Sequence, residues 1–169
     1  MRTAATVLED LAVSAVAGYL GTKVMEPISM ALYHRESEQH RAQEDEARPG
    51  PPFQVAAEKT AHLLGVTLHD QRLQQASMGL HYGLGISWAP LYALLRRHTT
   101  LPPLPAGLTM GTAMSLIADE LLTPLVGFSA PNRAYPLVTH ARGYAAHLAF
   151  GLAVASVTEA TWCLRGRRA

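Results

Sequence analysis

Asp119 and Glu120 stand side by side in the stretch SLIADELLTPLVGF, and no other formal charge occurs between Arg97 and Arg133. Three further groups able to exchange protons sit in equally apolar surroundings: Glu26, His81 and His147. Carboxylates beside imidazoles can hold a cation, pass a proton between about pH 5 and 8, or lock helices together by hydrogen bonds. Lys23 lies three residues before Glu26, one helical turn away, where it can neutralise the acid. His140 and Glu159 are secondary members of the same inventory, near the two ends of the last apolar segment. Pro27 and Pro124 each follow an acid closely, and a helical proline frees carbonyl oxygens one turn earlier as extra acceptors.

The elements that must carry these groups are apolar and long. Charged residues make up 16% of the 169-residue chain, against about 25% in soluble domains. Four segments reach or approach the roughly 20 residues that cross a hydrocarbon core: 11–33, 77–95, 104–128 and 140–164. The expected fold is therefore all-α, a polytopic membrane four-helix bundle forming one domain. Glu9 and Asp10 precede the first apolar run, which argues for a retained helix rather than a cleaved signal. A net charge of +1 offers no basic field for nucleic acid. The lone Cys163 can close no internal disulfide.

The short loops orient the bundle. Arg96-Arg97 and the tail Arg165–Arg168 share one side with the N-terminus, and the positive-inside rule makes that side cytoplasmic. The 34–76 connection then lies outside, its seven acids outnumbering its five bases. Within it, HRESEQHRAQEDEA contains no helix breaker and is expected to extend the first helix as a solvated arm as far as Arg48-Pro49. FQVAAEKTAHLLG reads as a short amphipathic helix ending at Gly65, with Asp70 capping a lead-in to the second segment. His34, Glu36, Glu38, His40, Glu58 and His62 have helical spacings that could hold a metal, a pattern that charged helices also produce by chance.

Read every fourth position, each segment shows a stripe of small and polar residues. The stripes are Ser14-Gly18-Thr22-Glu26, then Gly79-Gly83-Ser87, Gly107-Gly111-Ser115-Asp119 and Gly143-His147-Gly151. Residues four apart stack on one helix face, and such stripes let helices in lipid approach closely. The order Gly18–Thr22–Glu26 echoes Gly111–Ser115–Asp119, and HYGLG echoes HLAFG, which suggests a 2+2 parallel internal repeat. Residue counting places Glu26, His81, Asp119 and His147 within roughly 6–12 Å of the outer ends of their helices. An internal carboxylate–histidine cluster is thus expected at one depth, with Glu120 about 100° around its helix from Asp119.

The chain resembles the YagU-like family of small bacterial inner-membrane proteins. The likeness rests on AGYLGTKVMEP, on PP followed by VAAEKTAHLLG, on HYGLGISWAPLY, and on ADELLTPLVGF leading to HLAFG. It implies an integral inner-membrane protein with no catalytic residues to carry over; the long acidic loop and the Asp119-Glu120 pair depart from the family pattern. No phosphate loop, nucleophile elbow or His-Glu-x-x-His helix occurs, and the Glu-x-x-His signature of di-iron bundles is missing from the apolar segments. No cofactor or metal is therefore expected. The leading expectation is a protein that conducts or senses protons or small ions. The alternative is a scaffold or subunit that meets a membrane partner or a second copy of itself. An intramembrane enzyme ranks third.

Overall fold

A computed structural model describes residues 4–166, with side chains from residue 6 onward; Arg167 and Arg168, used above for orientation, lie outside the described residues. Among the described residues all regular secondary structure is helical, with no strand. The helices are α1 (Ala4–Tyr33), α2 (Glu38–Ala47), α3 (Pro52–Leu63), α4 (Asp70–Trp88), α5 (Pro90–His98), α6 (Pro103–Met114), α7 (Thr123–Leu125) and α8 (Leu137–Leu164). A π-helical stretch, Ser115–Leu122, joins α6 to α7, and a 3₁₀ turn, Asn132–Ala134, precedes α8.

Two long rods organise the molecule. At about 1.5 Å per residue, α1 and α8 are about 45 and 42 Å long. The α8 rod lies between α1 and α6, and α4 packs on α1, so the spatial order is α6, α8, α1, α4. Helix α5 closes one end against α1, α6 and α8, while α3 lies on α4 at the other.

Missing side chains explain how the rods come together. A methyl added at Gly107 would press on the Gly151 backbone, and one at Gly151 would strike the Gly107 carbonyl. At Gly111 it would strike the His147 carbonyl, and at Gly18 the Gly85 carbonyl. The backbones touch because no Cβ intervenes. Between these contacts Ala17, Ala106 and Ala155 pack with Tyr92, Met110, Phe150 and Val154 in the buried core. The large aliphatic side chains point the other way. Val16, Leu20, Val24 and Ile28 form an exposed stripe on α1, and Leu116, Ile117, Leu121 and Leu125 form another along the π stretch and α7.

Several sequence expectations need correction. The 77–95 segment is two helices, because Pro90 supplies no N–H and clashes with the preceding turn, so α4 stops at Trp88 and α5 restarts at Pro90. Segment 104–128 is likewise divided into α6, the π stretch and α7. Among the described residues only α8 is both long and apolar enough by itself to cross a membrane. The first helix does not run on as a charged arm. It ends at Tyr33, and Ser37 caps a new helix by accepting from the His40 N–H at 3.2 Å. Asp70 is not a cap; it is the first residue of α4, with a positive φ of 44°. The amphipathic helix α3 does end as the pattern indicates, with Gly65 at φ +70°.

Candidate functional site

The π stretch sets the position of Asp119 and Glu120. Pro124 has no N–H, so it cannot donate to Glu120 in α winding or to Asp119 in π winding. Thr123 instead reaches back five residues, its N–H and its hydroxyl both donating to the Ala118 carbonyl, the latter at 2.7 Å. The orphaned Glu120 carbonyl accepts from Asn132 Nδ2 at 2.8 Å. The wider turn presents the two neighbouring acids to different partners.

Glu120 is fully engaged. Its carboxylate lies 2.7 Å from His140 Nδ1 and 2.9 Å from Asn132 Nδ2, while His140 Nε2 lies 3.1 Å from the Asn132 carbonyl. Asp119 is not. Its Oδ2 is 3.5 Å from His147 Nδ1, but that nitrogen sits 2.8 Å from the Gly143 carbonyl. A carbonyl can only accept, so Nδ1 carries the proton there and points it away from Asp119. The Asp119 side chain keeps 42% exposure and lies over the bare Gly143 backbone.

A second acid–histidine pair joins α1 to α4. Glu26 Oε1 is 3.6 Å from His81 Nδ1 and accepts from Tyr82 OH at 3.0 Å, and Lys23 Nζ is 3.6 Å from Oε2. Lys23 also lies over the Tyr82 ring, and Phe53 of α3 stacks on His81 with ring centres 4.3 Å apart. Glu26 thus has one hydrogen bond, from Tyr82, with Lys23 and His81 each 3.6 Å away.

Between α4 and the π stretch lies a cavity of about 640 Å³. Asp119, Glu120, His140 and His147 line one side, and His81 lines the other. Glu26 is absent from its wall and reaches it only through His81. Below the cavity Tyr92, Met110, Phe150 and Val154 are completely buried and seal the bundle with apolar atoms. Glu159 belongs to the far end, where it accepts from Arg96 Nε at 2.6 Å and Tyr92 OH at 2.8 Å. Neighbouring Arg97 donates to Asp10 at 2.6 Å over the face of Trp162.

The glycine stripes also need correction. Gly79 and Gly83 seat no helix, since a methyl added at either would meet nothing within 4 Å. The close contact on α4 is made at Gly85, which leaves room for the buried Thr22, whose hydroxyl donates to Gly18 O at 3.0 Å. Gly143 packs against no helix backbone and instead makes space for Asp119. Ser115 is buried on its stripe.

Sequence reasoning missed the roof of the cavity. The acids of the 34–76 connection were expected in water, but Glu36 and Glu44 are buried around Arg142 of α8. Arg142 donates to Glu36 at 2.5 Å and to both Glu44 oxygens at 2.7 and 2.8 Å; Arg48 and Thr139 complete the shell of Glu44, and Tyr33 lies against the guanidinium. The available signal was Ser37 followed by eleven helix-compatible residues and then Pro-Gly, the marks of a separate capped helix. Among the described residues no three His, Cys, Asp or Glu side chains converge as metal ligands, so His34, Glu38, His40, Glu58 and His62 form no joint site.

The arrangement can take up a proton or a small cation at Asp119 from one end, beside two imidazoles. Comparison with protein-family models, with curated proteins and with solved structures finds no match.

Proposed function

We propose that the chain is a YagU-like, four-span protein of the bacterial inner membrane whose outer-facing cavity binds protons or small cations and reports them to the bundle. The membrane reading is supported by inverted packing. Glycine and alanine fill the seams while Val16, Leu20, Val24, Leu116 and Leu121 face outward. In water such exposed stripes would be a liability; in lipid they are the expected outer surface. The four spans are then α1, α4 with α5, α6 through α7, and α8, with both termini in the cytoplasm.

The observation that carries the function is Asp119, a carboxylate turned into a cavity without a hydrogen bond of its own while every other acid there is paired. Sensing is favoured over conduction, because the completely buried Tyr92, Met110, Phe150 and Val154 lie between the cavity and the other end. The 2+2 repeat is supported by matching geometry, since Glu26–His81 and Asp119–His147 occupy corresponding places in the two halves. A scaffold role is the second reading, favoured by the complete satisfaction of Glu120 and Glu44, and it requires Asp119→Asn to be silent.

Two measurements test this. In intact cells an impermeant maleimide should label Glu46→Cys in a Cys163→Ser background and leave the native Cys163 unlabelled, both positions being exposed. Equal labelling of the two would remove the four-span topology. In sealed vesicles the protein should carry no proton current above lipid alone; a current abolished by Asp119→Asn would replace sensing with conduction.

A further inference from the structure

The cavity is more than a polar pit. Its upper end is charged, but its length is walled by Leu80, Leu84 and Trp88 of α4 facing Met114, Ala118 and Leu122 across the gap. Leu80 and Leu122 are also partly exposed, so the slot opens sideways between two helices that barely touch. A polar end joined to a lateral apolar slot has the shape of an amphiphile. Its volume falls within the roughly 300–1,000 Å³ usual for small-molecule sites.

Resting on the membrane reading above, we propose that this slot holds a bilayer lipid with a primary-amine head group, its acyl chain between α4 and the π stretch and its ammonium on Asp119. Charge complementarity selects the head. Arg142 is consumed by Glu36 and Glu44, Arg48 by Glu44, and Glu120 by His140 and Asn132. What is left facing the cavity is the Asp119 carboxylate, an acceptor without a hydrogen bond of its own, beside the imidazoles of His81 and His147. An ammonium brings three N–H donors and the opposite charge, whereas an anionic head would meet repulsion. The source is the bilayer because the exposed aliphatic side chains of Leu80 and Leu122 flank the lateral mouth.

The test uses the full chain reconstituted into vesicles of equimolar phosphatidylethanolamine and phosphatidylglycerol, extracted gently and weighed by native mass spectrometry. The wild-type protein should retain phosphatidylethanolamine in preference. Asp119→Asn should lower that preference by about tenfold, the order of one charge-assisted hydrogen bond. Leu84→Trp, which fills the slot, should reduce retention of either lipid. Because a bulky variant can misfold, a second readout needs no filling. Chain-brominated phosphatidylethanolamine should quench Trp88 in Trp162→Phe protein more than brominated phosphatidylglycerol does. Retention of both lipids alike, of phosphatidylglycerol in preference, or of none would overturn the proposal. If the protein inserts with the stated topology yet retains no lipid, this inference alone fails; if it does not insert, the membrane reading fails first.

Discussion

The α1–α4 seam and the α6–α8 seam use the same parts to different ends. Each brings a glycine against a glycine, Gly18 on Gly85 and Gly107 on Gly151, and each places an acid beside a histidine toward the same end of the bundle. In the first, Lys23, Tyr82 and His81 surround Glu26, and its charge is answered locally. In the second, His147 spends its Nδ1 proton on the Gly143 carbonyl, and Asp119 faces the cavity. The difference is one of second partners. A satisfied acid rigidifies a seam, while an acid with unmet acceptors is available to a ligand or a proton.

The largest effect should come from the roof shared by neither seam. Arg142→Ala leaves Glu36 buried without its cation and Glu44 with Arg48 alone, and breaking a buried pair in this way costs about 3–5 kcal/mol. Thermal unfolding in detergent should show a strongly destabilised protein; a midpoint unchanged within error would mean that the α2 cap is not docked in solution.

Next come the seams themselves. Gly151→Ala inserts a methyl into the Gly107 backbone and should cost about 1–3 kcal/mol. Gly83→Ala, on an open face, should be neutral or slightly stabilising by helix propensity. Equal losses at both positions would contradict the assignment of the seam.

Much of this frame was legible in the sequence, and the reasons are local. Glycines at 18, 107, 111 and 151 could be read because a four-residue stripe marks a helix face. The stripe on α4 misled, since Gly79 and Gly83 satisfy the spacing while Gly85 makes the contact. Spacing gives a face but not the rotation of the helix toward its neighbour. The π winding was not foreseen, although Pro124 announced freed carbonyls, because one missing donor can be answered by a kink or by a wider turn. The Arg142 network was out of reach for another reason. It joins residues about 100 positions apart, and nothing in a charged helix says which of its acids will be buried.

A smaller effect separates the two acids. Glu26→Gln keeps an oxygen for the Tyr82 hydroxyl, so it should change stability by less than about 1 kcal/mol and leave the cavity response intact. Asp119→Asn should change stability as little while removing the response.

The most direct test of that contrast is a pH titration of Trp88, which lines the cavity, in vesicle-reconstituted Trp162→Phe protein. The expected result is a pH-dependent fluorescence transition that persists in Glu26→Gln and disappears in Asp119→Asn. A transition that survives Asp119→Asn, or one that Glu26→Gln removes instead, would contradict the assignment of Asp119 as the responsive acid.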